Sequence, residues 1–244
     1  MKRLLLISNS TMSGEAYLGW PQEYIKDFLA PENIKEILFI PYAGVGLSEE
    51  SLEASYNVYE SKVAEVFKTL GYNIKSIHHA QDPVEAVNNA EAIAVGGGNT
   101  FHLVGKLHEY NVMEAIKEKV EKGMPYMGWS AGSNVACPSL MTTNDMPIYQ
   151  PQSFNCMNLI PFQINPHYLD KNPEGHGGET REQRIEEFLV VNREMTVVGL
   201  REACLLQIEG EKLHLKGEHS LRIFNFGKEP QEFQPETDIQ SLMK

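Results

Sequence analysis

Short runs of apolar residues alternate with longer amphipathic stretches through the first 130 residues of this chain. Runs typical of buried strands lie at residues 3–8, 36–42, 73–79, 91–95 and 124–129. The segments 50–70 and 112–123 have helical periodicity, and the second places charged residues on one face and apolar residues on the other, with Gly123 as its C-cap. This alternation predicts an α/β fold, in which a mostly parallel sheet carries helices on both faces.

The pattern changes after about residue 195. The apolar runs TVVGL, ACLLQIE and KLHLKGE follow one another closely, with a turn at residues 209–211, and predict a small antiparallel C-terminal extension. The tail after Gly227 is polar and contains two prolines, so we expect it to be loosely docked. Because no repeat, low-complexity linker or domain boundary is evident, residues 1–244 are expected to form a single α/β domain.

The formal net charge is −12 at pH 7, and it narrows the choice of partners. Because no basic stripe offsets this charge, nucleic acid is not an expected partner. A small acidic substrate would need a local cation to hold it against the field of the whole protein.

Two features bear on the cellular compartment. The N-terminal apolar run at residues 4–7 is shorter than the roughly 7–15 residues of a signal peptide, and no run approaches the ~20 residues of a membrane span. Cys137, Cys156 and Cys204 lack CxxC spacing, which predicts reduced thiols rather than a disulfide framework or a zinc site. We therefore expect a cytoplasmic protein without a membrane partner.

Residues 125–136, PYMGWSAGSNVA, contain the pattern Gly-x-Ser-x-Gly at the end of a predicted strand. One interpretation is a glycine-rich turn between two buried elements. The other is a nucleophile elbow, a tight strand-to-helix turn that exposes the hydroxyl of Ser130. The motif alone does not decide between the two, so the neighbouring segments matter.

The segment GGGNT (96–100) follows another predicted strand, and the carboxyl ends of strands in such a sheet border the ligand crevice. Consecutive glycines let backbone N–H groups face a developing negative charge, and with the N–H of Ala131 they could form an oxyanion hole. The alternatives are a phosphate loop, which lacks its Gly-Lys-Ser/Thr ending, a dinucleotide fingerprint, which lacks a glycine at Phe101, and a simple tight turn.

A serine nucleophile needs a base, and His167 has the most suggestive setting of the eight histidines. It follows Asn165-Pro166 in FQINPHY, at the end of an apolar run, whereas six others lie in predicted strands or helices and are expected to be structural. His176 lies among glycines without metal-ligand spacing, so we expect no metal. Either Asp145 or Glu202 could orient the base, and spacing does not choose between them.

Arg181 is the cation that stands out. It lies in GETREQR, in the first turn of a predicted helix with Thr180 or Glu179 near the cap, where a positive charge opposes the helix dipole. It could grip a carboxylate with two hydrogen bonds, or it could form an ordinary surface salt bridge.

Taken together, six blocks closely resemble the peptidase E family, and the resemblance runs from the first strand to about Glu202. The blocks are LLLISNST (4–11), VGGGNTF (95–101), GWSAGSNVACP (128–138), TTNDMPI (142–148), QINPH (163–167) and EGHGGETREQRI (174–185). The family consists of bacterial α-aspartyl dipeptidases, which are cytoplasmic serine peptidases with a class I glutamine-amidotransferase-like fold. The resemblance implies a small peptide substrate, no cofactor, and a monomer or homodimer.

The resemblance also implies roles for individual positions. It places the nucleophile at Ser130, the base at His167, the family's two acids at Asp145 and Glu202, and the reader of the substrate's aspartyl carboxylate at Arg181. The oxyanion amides fall on Gly98 and Ala131, and Asn99 of the same loop is a further candidate for substrate binding.

One departure concerns Glu202, because the family pattern often reads Pro-Glu-Gly where this chain reads Arg201-Glu202-Ala203. Loss of the glycine could shift the backbone that carries the acid. The expected activity is hydrolysis of Asp-X dipeptides through an acyl-enzyme on Ser130. The alternatives are a serine hydrolase of the same fold that acts on another aspartyl peptide, polymer or ester, and a ligand-binding homologue without catalytic activity.

Overall fold

The structure is a computed structural model that describes residues 1–172, 174–175 and 177–243. Its strands are β1 (Arg3–Ile7), β2 (Glu36–Ile40), β3 (Asn73–Ser76), β4 (Ile93–Val95), β5 (Tyr126–Trp129), β6 (Gln163–Pro166), β7 (Thr196–Leu200), β8 (Cys204–Glu209), β9 (Lys212–Gly217), β10 (Leu221–Asn225) and β11 (Gln231–Phe233). Its helices are α1 (Gln22–Leu29), α2 (Leu52–Thr69), α3 (Pro83–Asn88), α4 (Thr100–Glu109), α5 (Val112–Glu121), α6 (Ala131–Asn134) and α7 (Arg181–Val191).

The main sheet has seven strands in the order β3-β2-β4-β5-β1-β8-β9. The first five are parallel, and β8 and β9 extend the sheet in antiparallel fashion beyond β1. Because β4, β5 and β1 are parallel neighbours, the loops that follow them emerge side by side at one edge of the sheet.

Each face of this sheet carries its own helices and its own apolar core. Leu4 and Leu6 of β1 point into a core that includes residues of α4 and α5, whereas Leu5 and Ile7 point into one that includes α1 and α2. Alternate residues of a strand point to opposite faces, so a continuous apolar run is what a strand covered on both sides requires. The predicted α/β fold with a mostly parallel sheet and helices on both faces is confirmed.

A second sheet of four strands, in the order β11-β10-β7-β6, corrects part of the sequence prediction. The segment TVVGL does not join the antiparallel extension of the main sheet. As β7 it pairs in parallel with β6, and β10 pairs with it in antiparallel fashion on the other side. Local pattern could not reveal this arrangement, because the partner strand β6 ends 30 residues earlier in the chain.

Two further predictions need correction. The run 73–79 is a strand only to Ser76, after which Ile77–His79 form a 3-10 turn. The tail after Gly227 is docked rather than loose. Its β11 pairs with β10, the side chain of Ile239 is buried, and the Gln240 amide forms two hydrogen bonds with the backbone of Leu213.

Within the part of the chain that the structure describes, none of the helices is sufficiently long and apolar to cross a membrane.

Candidate active site

Ser130 lies on a sharp turn between β5 and α6. Its φ is +54° and its ψ is −111°, a backbone conformation that residues other than glycine rarely adopt. The turn is tight because two glycines allow close backbone contact. A Cβ at Gly128 would overlap the backbone of Gly132, and one at Gly132 would overlap the carbonyl of Val95. This strained turn holds the Ser130 hydroxyl above the carboxyl end of the sheet.

His167 and Glu202 come together because the strands that precede them are neighbours in the second sheet. Pro166 of β6 lies opposite Leu200 of β7, so the residues that follow these two positions emerge at the same edge. His167 Nδ1 lies 2.7 Å from Glu202 Oε1, and His167 Nε2 lies 2.9 Å from Ser130 Oγ. These three residues, the serine–histidine–glutamate cluster, have the connectivity of a nucleophile, a base and a group that orients the base.

Ser8, directly after β1, fixes this cluster to the main sheet. Its hydroxyl accepts a hydrogen bond from the His167 backbone N–H at 2.9 Å and donates one to the Leu200 carbonyl at 2.8 Å. One buried hydroxyl therefore holds the ends of β6 and β7 against the end of β1. Sequence reasoning did not identify Ser8 as a site residue, although a small polar residue immediately after a buried strand was the available signal.

Asn9 supports the segment that carries Glu202. Its side-chain oxygen accepts a hydrogen bond from the Ala203 N–H at 2.9 Å, and both residues are buried. Ala203 has a φ of +57°, so it adopts the left-handed conformation that a glycine would adopt without strain. The departure from the family pattern noted above is therefore accommodated with the Glu202 carboxylate still within hydrogen-bonding distance of His167. Asn9 too was missed from the sequence.

The two amides predicted to form an oxyanion hole belong to Gly98, on the loop between β4 and α4, and to Ala131, directly after Ser130. Among the described residues, no acceptor takes a hydrogen bond from the N–H of Gly98 or of Ala131. Gly98 has a φ of +131°, and a Cβ at this position would overlap the carbonyl of Ala43. The loop thus requires glycine here, and α6 begins at Ala131, whose N–H is free in the way of a first helical residue.

Asp145 forms no hydrogen bond with His167 but lies at the N-terminus of α4. Its Oδ2 accepts hydrogen bonds from the Thr100 N–H at 2.7 Å, the Thr100 hydroxyl at 2.6 Å and the Thr143 hydroxyl at 3.0 Å. The positive end of the helix dipole also favours a carboxylate in this place. Of the two acids left open by the sequence, the structure brings Glu202 to the histidine and holds Asp145 beside the cavity.

The cavity in front of Ser130 has a volume of about 540 Å³ and is lined in part by His167, Gly98, Asn99 and Asp145. The Asn99 amide makes one hydrogen bond at each end, since Oδ1 accepts from the His102 N–H and Nδ2 donates to the Met146 carbonyl. Asn99 thereby caps α4 and fixes the 142–148 segment. An amide has two N–H donors and two acceptor lone pairs, so these two bonds are compatible with the predicted binding of substrate at Asn99.

Arg181 opens α7, capped by Thr180, and lies in a smaller side pocket of about 150 Å³. Asp145 lines both this arginine pocket and the cavity in front of Ser130, so the two adjoin. Burial and the neighbouring Arg184 lower the pKa of the Arg181 guanidinium from its ordinary value, and Asp145 opposes this shift. Within the described residues, Arg181 has no ion-pair partner within 4.0 Å.

Among the described residues, one group has donor atoms close enough to hold a metal ion, and it lies away from Ser130. The Glu60 carboxylate and the rings of His78 and His79 place their atoms within 4.8 Å of one another. These histidines follow β3, three strands away from β5 in the main sheet. His176, for which the sequence predicts no metal binding, lies outside the described residues.

Comparisons with known proteins show which sequences and folds the chain resembles. The sequence profile of peptidase family S51 matches residues 4–216. The chain is 49% identical to peptidase E of Nostoc sp. over 243 residues, which cover 100% of this chain and 97% of that protein. It is 44% identical to peptidase E of Pasteurella multocida over 225 residues, or 92% and 93% of the two chains. A peptidase from an acI-B1 Actinobacterium, 18% identical, has the same fold with a TM-score of 0.70 over 97% of this chain and 96% of its own.

Proposed function

The chain belongs to peptidase family S51, and from this premise we propose that it is a serine dipeptidase that removes aspartate from the amino terminus of Asp-X dipeptides. Full-length relatives named peptidase E support the peptidase activity. The observation that carries the proposal is that the serine–histidine–glutamate cluster adjoins a pocket whose arginine has no ion-pair partner among the described residues.

In the first step, Ser130 attacks the scissile carbonyl as His167 Nε2 removes its proton, a transfer for which the 2.9 Å separation is suitable. Glu202 accepts a hydrogen bond from His167 Nδ1–H, which selects the correct tautomer and stabilises the imidazolium that forms. The positive backbone φ of Ser130 directs its hydroxyl into the cavity, where the substrate carbonyl would lie.

The tetrahedral intermediate carries a negative charge on the former carbonyl oxygen. The free N–H groups of Gly98 and Ala131 would donate to this oxygen, and removal of one such donor typically costs about 100- to 1000-fold in rate. Collapse of the intermediate breaks the C–N bond, and His167 gives its proton to the leaving amine. Water, activated by the same histidine, then hydrolyses the acyl-enzyme and releases aspartate.

Arg181 and Asp145 would read the aspartyl residue. The guanidinium of Arg181 would bind the side-chain carboxylate in the arginine pocket. The Oδ2 atom of Asp145 is already engaged by Thr100 and Thr143, whereas Oδ1 has no hydrogen bond to a described residue and would accept one from the free α-amino group. An asparagine substrate would leave the Arg181 charge without a partner, and that loss costs on the order of 1–3 kcal/mol or more.

The proposal also covers the setting in which the enzyme works. We propose one domain over residues 1–244, active in the cytoplasm as a monomer or homodimer. Cys137, Cys156 and Cys204 are free, and burial raises the pKa of the Cys137 thiol to about 12, which supports inert thiols in a reducing compartment. Light scattering on the purified full chain distinguishes the two assemblies.

Steady-state hydrolysis of Asp-Leu, Asn-Leu and Glu-Leu tests the proposal, with the Ser130→Ala variant as the control. We expect cleavage of Asp-Leu above the other two and its loss in the variant. If folded wild-type protein cleaves none of the three, the dipeptidase proposal fails. Cleavage that survives in Ser130→Ala would rule out the serine mechanism, and binding of Asp-Leu without product would identify a non-catalytic homologue.

A further inference from the structure

A lysine lines the cavity in front of Ser130 and has no part in the mechanism described above. Lys62 lies on α2, one helical turn after Tyr59, so the two side chains share a face of the helix and both border the cavity. The region of the cavity wall formed by Tyr17, Tyr59 and Lys62 is called the aromatic wall below.

The aromatic wall is joined to the residues that carry the reaction. The Tyr59 hydroxyl accepts a hydrogen bond from the Trp129 indole at 3.0 Å and donates one to the Gly97 carbonyl at 3.0 Å. Trp129 immediately precedes Ser130, and Gly97 immediately precedes Gly98. The Tyr17 hydroxyl donates to that of Tyr59 at 3.1 Å, and the Lys62 ammonium lies 4.2 Å from the centroid of the Tyr17 ring. Lys62 is exposed, and its ammonium lies over the Tyr17 ring at the border of the cavity.

The Lys62 charge is not satisfied by an acid. No carboxylate in the part of the chain that the structure describes forms an ion pair with it within 4.0 Å. Its contact with the Tyr17 ring is a cation–π interaction, which orients the ammonium but leaves its N–H donors free. In a protein with a net charge of −12, such a lysine in the substrate cavity is positioned to hold an anion.

We propose that Lys62 binds the free carboxylate of the leaving residue and so makes the enzyme prefer dipeptides. The proposal rests on the proposed function, because it assigns the C-terminal end of the same substrate. In a dipeptide this carboxylate carbon is three bonds, or about 4 Å, from the scissile carbonyl carbon. In a longer peptide the same position carries a neutral amide, which cannot pair with the ammonium. Arg181 and Lys62 would thus hold the two carboxylates of Asp-X at opposite ends.

The test compares two substrates that differ only in this carboxylate, Asp-Leu and its amide Asp-leucinamide. The quantity measured is the ratio of their kcat/KM values in the full-length wild-type enzyme, in Lys62→Met and in Lys62→Arg. Lys68→Met is the matched control, because Lys68 is exposed on the same helix and its loss changes the net charge equally.

We expect wild type to favour Asp-Leu by roughly tenfold, the effect of one charge-assisted hydrogen bond. Lys62→Met should bring the ratio close to one, Lys62→Arg should restore most of it, and Lys68→Met should leave it at the wild-type value. A wild-type preference that persists in Lys62→Met overturns the Lys62 assignment and leaves the dipeptidase function intact. If wild type hydrolyses neither substrate, the proposed function and this inference both fail.

Discussion

The serine–histidine–glutamate cluster and the arginine pocket adjoin one another, yet they differ in how many of their polar groups already have partners within the protein. In the cluster, His167 is bonded at both ring nitrogens. Ser8 holds the backbone of His167, and Asn9 holds the backbone of Ala203 next to Glu202. In the arginine pocket, Arg181 has no ion-pair partner among the described residues. Of the two carboxylate oxygens of Asp145, Oδ2 accepts hydrogen bonds from described residues and Oδ1 accepts none. The groups proposed to do chemistry are thus held in place before substrate arrives, whereas those proposed to recognise substrate are left free to bind it.

The largest effect is expected from breaking the cluster at its acid. Glu202→Gln keeps the size of the side chain but removes the charge that we propose selects the His167 tautomer. We expect kcat to fall by roughly 1000-fold with little change in KM, as for groups that act on the transition state. Pre-steady-state and steady-state kinetics with Asp-Leu measure this. A change confined to KM would contradict the role assigned to Glu202.

The matched substitution in the arginine pocket is Asp145→Asn. An asparagine oxygen can still accept the bonds from Thr100 and Thr143, so the fold should be unchanged. Loss of the charge that would bind the substrate's amino group should raise KM by about 10- to 100-fold and affect kcat less. If kcat falls as far as it does in Glu202→Gln, the distinction between the two regions is wrong.

A smaller effect is expected from replacing Arg201, which joins the segments that carry His167 and Glu202. Its guanidinium pairs with Asp170, three residues after His167, and with Glu232 of β11. Hydrogen bonds from Arg201 lower the pKa of Asp170 and of Glu232 below their ordinary values. This pairing therefore contributes fully to stability above the ordinary carboxyl pKa of about 4 and is lost as the pH falls below it.

For Arg201→Met we expect the free energy of unfolding to fall by about 1 kcal/mol at pH 7, since both acids are nearly half exposed and solvent screens them. The difference from wild type should shrink below about pH 4. Urea denaturation at pH 7 and pH 3.5 measures it, with Arg193→Met as a control for loss of a surface charge. A difference that grows toward low pH would refute this assignment.

The smallest effect concerns Ala203, which stands where the family pattern often has glycine. Its φ of +57° is strained for alanine, so Ala203→Gly should stabilise the protein by roughly 0.5 to 1 kcal/mol. Because Glu202 already reaches His167, kcat should change less than about twofold. Chemical denaturation and kinetics on the same preparations check both. A large rise in kcat would mean that alanine holds Glu202 out of position.

The parallel half of the fold could be predicted from the sequence because buried strands and amphipathic helices leave local patterns. β1, β2 and β5 lie within the apolar runs that predicted them, and α2 lies within residues 50–70. The second sheet could not be predicted in this way, since TVVGL carries no sign that its partner is β6 rather than the neighbouring run. Strand partners far apart in the chain are fixed by packing of the whole molecule.

The candidate site shows the same division. The Gly-x-Ser-x-Gly turn and the loop at Gly98 are local features, and both glycine patterns have steric reasons in the structure. The choice between Glu202 and Asp145 depends on the pairing of β6 with β7, so spacing along the chain could not make it. Lys62 gives no local signal either, because a lysine on an amphipathic helix is typical of a solvated face.

The role proposed for Arg181 is tested most directly by the ratio of kcat/KM for Asp-Leu to that for Asn-Leu. This ratio is measured in wild type, Arg181→Met and Arg184→Met. We predict a wild-type ratio of roughly 1000, a fall to about 10 or less in Arg181→Met, and retention within about threefold in Arg184→Met, whose arginine pairs with Glu179. Discrimination that survives in Arg181→Met, or is lost equally in both variants, would contradict the proposal that Arg181 recognises the substrate.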